Sequence, residues 1–365
     1  MPDSEKNKRL ADPEVLVFET SPFRTLDAIV EHDGLAVYLY LNQLEKNGNF
    51  GTRACWVRNL EMGPMVFNAD EMQQGIPPQL PRTHCVDREP QPLPNPDDLS
   101  IVWFEEGNGV ALLEKANGTV KTIAIIPPWS GLDGFHGYAL ECATENQVCW
   151  PMPDNPKLEK RIRRAQEFWH AVSTSDSTDS FGTLQTTLLE QFENRFGSAN
   201  SESEYYTIDG GQFPPRGLTK IKSDNGTTIL TIGTSLCPQP AVELFADNPT
   251  AHRRIELGIR MPNCSDDQAQ AAIRQISILA GYPWRNFTWL GDGHTCEFKD
   301  VFPSINNALL VHDSHFDSEQ PVALPKYRDD PLNLLWLVPV TDDQLAKLKQ
   351  KTISADQIVR EFQNC

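Results

Sequence analysis

Residues Leu332–Val340 read LNLLWLVPV, apolar at every position but one. A strand with no polar alternation has no face to turn towards water, so this segment predicts a buried central strand rather than an edge. The requirement propagates, because a buried strand needs neighbours on both sides. Strand signals recur along the chain. Leu26–Glu31 and Leu35–Leu41 flank Asp33-Gly34, a two-residue hairpin signal. Cys55–Leu60, Ile101–Phe104, Val110–Glu114 and Val120–Ile126 follow, the last two joined by Asn117-Gly118 and closed by Pro127-Pro128. Between them, residues 74–98 are rich in proline and polar groups and read as a long surface excursion.

The middle of the chain changes period. Over Lys157–Val172, the residues Leu158, Ile162, Ala165, Phe168 and Trp169 share one helical face, with Arg161, Arg163 and Arg164 largely off it. Thr183–Phe196 repeats the pattern with Leu184, Leu188, Phe192 and Phe196, and Ser173–Ser180 between them reads as a linker. Beyond, Leu218–Lys222 and Thr228–Ile232 flank Asn225-Gly226, and Arg253–Met261 alternates as a further strand. Ser265…Gln268, Thr341…Gln344 and Ser354…Gln357 are capping-box patterns that mark three helix starts, with Gly281 and Pro283 stopping the first helix. The expected class is α+β, with two mixed, antiparallel-rich sheets flanked by helices. The expected division is a β-rich domain over residues 1–155, a helical connector over 156–198 and an α+β domain over 199–365.

Charge and cysteine content narrow the function classes. The net charge is −18, and both halves are acidic: residues 1–180 hold 27 acidic and 16 basic side chains, residues 181–365 hold 23 and 16. Binding to nucleic-acid phosphates is therefore not expected, since it relies on Lys and Arg, and a basic protein partner is the better complement. No apolar run approaches the roughly 18–20 residues that cross a bilayer, so no membrane span is expected. MPDSEKNKRLADPEV leads into no apolar stretch, so no export leader is expected and the cytoplasm is the expected address. The eight cysteines, at 55, 85, 142, 149, 237, 264, 296 and 365, form no C-x-x-C pair and read as scattered reduced thiols.

There is no phosphate-binding G-x-x-x-x-G-K-[ST] loop, and Gly291-Asp292-Gly293-His294 opens no helix, so it reads as a turn. Trp129-Ser130-Gly131 lacks the first glycine of a nucleophile elbow. His312-Asp313-Ser314-His315, with Asp317 and His294 beside it, gathers candidate metal ligands. If ALLVHD is a strand entering a loop, however, His312 and His315 face opposite ways. Aromatic segments are stronger candidates for a binding surface. GYPWRNFTWL at 281–290 carries Trp284-Arg285, and the loop from Pro127 to Tyr138 carries Trp129, Phe135 and Tyr138.

The segments TILTIGTSLCPQP (228–240), RIELGIR (254–260) and NLLWLVPVT (333–341) resemble, in order, the Suppressor of fused domain. CWVRNL (55–60), IPPWSGLDGFHGY (126–138) and YYTIDGGQFPP (205–215) resemble full-length bacterial members, so the likeness spans residues 20–365. The resemblance implies a protein-binding role without catalysis. The animal protein is a negative regulator that grips a short peptide of a transcription factor, and bacterial relatives are regarded as immunity proteins against toxins. The expectation is thus a non-catalytic, cytoplasmic module without cofactors that sequesters a basic toxin or a regulatory protein. Its partner-binding residues are expected among Trp129, Phe135, Tyr138, Trp284, Arg285, His312, Asp313 and His315. The alternatives are a metal-assisted hydrolase using His312, His315 and Asp317, and an oligomeric scaffold.

Overall fold

The computed structural model describes residues 9–10, 12–45, 48–132, 134–174, 180–197, 200–317 and 319–363. Cys365, most of MPDSEKNKRLADPEV and five residues of the Ser173–Ser180 linker lie outside the described residues. The chain divides into two compact units, Met1–Trp169 and His170–Cys365.

The first unit begins with a meander: β1 (Glu14–Thr20), β2 (Leu26–His32), β3 (Ala36–Gln43) and β4 (Thr52–Asn59) pair in sequence order, each antiparallel to the last. The β2–β3 turn falls at Asp33-Gly34, where the Asp33 carboxylate accepts the amides of Leu35 and Ala36, both at 2.9 Å. A short helix, α1 (Ala69–Gln73), precedes the excursion at 74–98, which contains 3-10 turns at Arg82–His84 and Pro96–Asp98. A second sheet orders β5 (Leu99–Trp103), β6 (Val110–Ala116), β7 (Thr119–Ile126), β8 (Tyr138–Ala139) and β9 (Trp150–Pro151). Helix α2 (Pro156–Ser173) lays Leu158, Ile162 and Ala165 on Val102, Phe104, Ala111, Leu113 and Ile125 of that sheet. Its arginines are not idle on the solvent side. Arg161 meets Glu106 at 2.7 Å and Arg164 meets Glu105 at 3.0 Å, and both carboxylates are buried.

The second unit opens with α3 (Phe181–Phe196) and centres on a seven-stranded sheet. Its strands are β10 (Glu202–Thr207), β11 (Gly217–Ser223), β12 (Gly226–Ile232), β13 (Ile255–Met261), β14 (Thr295–Phe302), β15 (Ile305–His312) and β18 (Asn333–Val340). They lie in the order β10-β11-β12-β13-β18-β15-β14, and all neighbours are antiparallel except β13 and β18. The apolar run thus sits inside the sheet, between β13 and β15, as its composition requires. Short elements surround the sheet: α4 (Val242–Phe245), α5 (Pro249–His252), α7 (Tyr282–Asn286), α8 (Asp313–Phe316) and a ribbon of β16 (Lys326–Tyr327) with β17 (Asp330–Pro331). The class is α+β, with the described strands distributed over sheets of four, five, seven and two.

Helix α6 (Asp266–Ala280) covers one face of the large sheet, burying Ala269, Ala272, Ile273 and Ile276 against Leu257, Ile259, Leu335 and Leu337. On the alternate positions, Trp336 stacks on Phe316 at 4.9 Å and meets Phe196 edge-on at 5.5 Å. Gly258 is needed beneath it, since a Cβ there would stand 2.9 Å from the indole and 3.0 Å from Leu230. Two capping boxes close as expected, at Ser265/Gln268 and, for α9 (Asp342–Lys349), at Thr341/Gln344. At α10 (Ala355–Gln363) the Gln357 amide donates to Ser354 Oγ, but the Gln357 side chain turns to Glu361. Gly281 ends α6, whereas Pro283 occupies the first turn of α7. The aromatic stretch therefore opens as a short helix, because the first turn of a helix tolerates a residue without an amide proton.

Candidate functional site

Four pieces of the second unit meet at one end of its large sheet, where β13 and β18 begin and β15 finishes. The register sets this junction, since Ile255 pairs with Asn333 and His312 with Leu335. A cleft of about 450 Å³ opens there. Its floor is apolar, from Ile255, Leu290 and Leu335, and its polar rim carries His252, Asp292, His312, Ser314, His315 and Asn333.

A buried polar network holds the floor in place. Arg254 is fully buried and donates through Nε to Asp330 at 2.8 Å, and through Nη1 to the carbonyls of Ser235 at 3.1 Å and Leu236 at 2.5 Å. Arg253 grips the same carboxylate from a second side, at 2.9 and 2.7 Å. Burial would raise the Asp330 pKa, but the Arg253 hydrogen bond and the Arg254 charge outweigh it and hold it below the usual value. Glu256 is likewise buried. One of its oxygens accepts the amides of Gly233 and Ser235, both at 3.0 Å, and the Ser235 hydroxyl at 2.6 Å; the other accepts Thr231 Oγ1 at 2.5 Å. Burial pushes its pKa up, and these four donors only partly offset that. Gly233 sits at φ 90°, in the left-handed region, which turns the chain so that both amides point at one oxygen. The turn at Gly233–Ser235 in the 228–240 segment and the strand carrying Glu256 in the 254–260 segment are thus two halves of one structural clasp.

Gln239 ties the aromatic stretch to the same clasp, exchanging bonds with Leu290 (its amide donates to the carbonyl at 3.0 Å and its oxygen accepts the backbone N–H at 2.8 Å). Trp284 is buried and donates to Pro238 O at 3.2 Å, so its indole serves this junction. Arg285 is exposed, with Nη2 donating to Ile278 O at 2.6 Å.

The histidine segment departs from the expectation of a strand entering a loop. The strand ends at His312 and a single helical turn, α8, follows at once, so the imidazoles of His312 and His315 lie on the same side, 6.2 Å apart. The change of period from two to 3.6 residues is what brings them together. Asp313 is buried, and its carboxylate accepts Trp336 Nε1 at 2.6 Å and the backbone amide of Val322, which anchors α8 to the sheet. Asp292, read from sequence only as a turn residue, accepts the His312 amide at 2.7 Å and faces His315 Nδ1 at 3.1 Å. Asp317 is turned away into an ion pair with Arg195 at 2.5 Å, and His294 packs edge-on against Trp289. No group of three His, Cys, Asp or Glu among the described residues is arranged to hold a metal ion.

Ser314 Oγ stands 2.8 Å from His312 Nδ1, the spacing of a serine–imidazole pair. The same nitrogen accepts the Ser314 backbone N–H at 3.3 Å and so caps α8. Asp292 engages the His312 main chain and the His315 ring, not the His312 ring. The orienting carboxylate of a catalytic triad is thus committed elsewhere. What the rim offers is hydrogen bonding over an apolar floor.

The remaining sequence candidates lie in the first unit. Trp129 is half-buried beneath the Arg161 guanidinium, 5.4 Å from ring centre to Cζ. Phe135 is buried between Tyr138 and Trp150, with both ring centres at 4.8 Å. These three residues belong to the aromatic packing of that unit. The cleft residues that sequence reasoning did not single out are His252, Ser314 and Asn333, with Asp292; each depends on distant segments meeting, and only the Gly-Asp-Gly turn left any local trace.

Residues 206–365 match the family described as Suppressor of fused protein (SUFU). The match contains the pieces at 228–240, 254–260 and 333–341 and the whole cleft, whereas CWVRNL and IPPWSGLDGFHGY lie outside it. Among solved structures, a protein described as a SUFU homologue from Neisseria gonorrhoeae is similar at 14% identity and TM-score 0.31, over 50% of this chain and 90% of that one. A structure of the Sufu–Fu complex is similar at 13% identity and TM-score 0.29, over 47% of this chain and 79% of that one. No curated protein matches the chain.

Proposed function

We propose that this chain, whose residues 206–365 match the Suppressor of fused family, is a non-catalytic protein-binding module whose cleft receives a segment of a protein partner. The observation that carries the reading is the cleft itself, a hydrogen-bonding rim of imidazoles, amide and carboxylate over an apolar floor, lying wholly within the matched domain. The partner is a basic protein, either a toxin that the chain neutralises or a regulator that it sequesters in the cytoplasm. The acidity of both halves supports that choice, because opposite potentials speed encounter and suppress wrong partners.

The test uses the full chain, immobilised beside a His315→Ala/Asp292→Ala variant. Wild type is expected to retain one protein in stoichiometric amount, and calorimetry should show the variant binding it roughly tenfold more weakly, the size of about 1.4 kcal/mol. Equal retention by both chains would remove the cleft from the interface. Metal-dependent hydrolysis by wild type, abolished in His312→Ala, would replace the binding reading by an enzymatic one.

A further inference from the structure

Cys85, distant in sequence, meets Cys142 and Cys149 in the first unit, with Cys55 close by. Cys85 and Cys142 face each other across an isolated antiparallel bridge. The flanking bonds are Val86 N to Glu141 O at 2.9 Å and Ala143 N to His84 O at 2.7 Å. That pattern makes Cys85 and Cys142 a non-hydrogen-bonded pair, in which the two side chains project to the same face with Cα atoms roughly 4.5 Å apart. Disulfides span Cα separations of roughly 4.4–6.8 Å, so this backbone can accept a bridge without moving far. Cys149 lies against Cys142, the two thiols being hydrogen-bonded to each other. The Asn146 amide nitrogen lies 3.3 Å from the Cys142 sulfur and 3.7 Å from that of Cys149, which places both sulfurs around one donor. Cys142 and Cys149 are buried and Cys85 is half-exposed.

The geometry points to a thiol–disulfide site in which Cys85 is the thiol reached from solvent and Cys142 is the resolving thiol that closes a Cys85–Cys142 bridge. Its co-reactant is a small-molecule disulfide of the glutathione class. The Cys85 thiolate attacks one sulfur of that disulfide; a Cys85 mixed disulfide forms, and the first small thiolate leaves and takes up a proton. The Cys142 thiolate then attacks the Cys85 sulfur and expels the second small thiolate. Two protein thiols are oxidised by two electrons while one small disulfide is reduced to two thiols.

The surroundings divide the roles. The thiol of Cys149, the Thr144 backbone and the Asn146 amide favour the charged form of Cys142 and hold its pKa below the usual thiol value despite burial. Burial, with the nearby sulfur of Cys142 and the charges of Glu141 and Asp87, pushes Cys85 up to about 11. The second step therefore has a ready nucleophile, and the first is limited by the small thiolate fraction of Cys85. Burial pushes the Cys149 thiol far up, and its hydrogen bond favours the charged form of Cys142.

The full chain, treated with oxidised glutathione, alkylated and cleaved after glutamate, separates the outcomes, since the cut after Glu145 parts Cys142 from Cys149. One Cys85–Cys142 linked peptide per chain is expected, with loss of two alkylatable thiols and their return on adding dithiothreitol. In Cys142→Ser the expected product is a stable glutathione adduct on Cys85. In Cys85→Ser no bridge should form at the wild-type rate. A Cys142–Cys149 bridge in wild type, or full alkylation of Cys85 and Cys142 after oxidation, would overturn the assignment. Circular dichroism of each variant distinguishes lost chemistry from lost folding.

Discussion

Glu256 is a buried carboxylate whose hydrogen bonds join the 228–240 and 254–260 segments. A carboxylate taken out of water is costly, and only its four donors make the position tenable. Glu256→Leu would strip the acceptor from two buried amides and two hydroxyls. A loss of about 3–5 kcal/mol in urea unfolding is expected, given ~1–3 kcal/mol for each unsatisfied buried donor with partial relaxation. A loss below about 1 kcal/mol would mean that the clasp is dispensable. Asp330 gives a pH-dependent counterpart. Its folded pKa lies below the unfolded value of 3.8, so its contribution is fully present above that pH and is lost as the pH falls through the folded value. The difference in urea midpoint between wild type and Asp330→Asn should accordingly be large at neutral pH and shrink on acidification well below 3.8. A difference independent of pH would show that the arginines do not act through the charge.

At the scale of elements, the sequence marks helix starts more reliably than helix ends. Ser265 and Thr341 each accept the amide three residues on at 3.2 Å, and Gln268 and Gln344 return the bond at 3.0 Å. Ser265→Ala should cost about 1 kcal/mol in thermal or urea unfolding, through loss of the cap alone. Measured helicity of α6 would otherwise be little changed, since its buried face against the sheet supplies most of its stability. A null effect would place the strength of this helix entirely in packing. The short helices α7 and α8 behave differently. With one turn each they have no periodicity to read, and they exist because Trp284 and Asp313 are fixed to Pro238 and Trp336 from outside the helix.

On the scale of the whole molecule, the acidic charge belongs to both units and not to a tail. If the partner is basic, the affinity measured for the cleft should fall as salt is raised, because exposed charges more than a Debye length apart, ~10 Å at 0.1 M, are screened. A salt-independent affinity would put the binding energy in the apolar floor. The first unit contributes a separate chemistry, its converging thiols, and that chemistry can be tested whether or not a partner is found. Counting cysteines along the chain gave scattered thiols, because 85 and 142 are neighbours only once the excursion at 74–98 returns to pair beside β8.

Local physics made much of this protein legible from its residues. Asp33-Gly34 and Asn117-Gly118 specified hairpins through turn geometry, and Asn225-Gly226 marked a third one residue late, its loop being 224–225; Leu332–Val340 specified a central strand through its lack of polar alternation, and the spacing of Leu158, Ile162 and Ala165 specified a helix with a buried face. The ordered likeness to the Suppressor of fused domain was also written there, in 228–240, 254–260 and 333–341. The weakly patterned edge strands β1 and β10 were less legible, since an exposed strand has no hydrophobic alternation to betray it. What only the tertiary structure decided was the company each polar group keeps. His312 and His315 share a side because one helical turn replaces a loop, Asp317 goes to Arg195, Asp292 arrives from a turn twenty residues upstream, and Glu256 is enclosed by donors from Thr231 to Ser235. Those choices follow from burial and hydrogen-bond satisfaction among segments distant in sequence, and no window of the chain contains them.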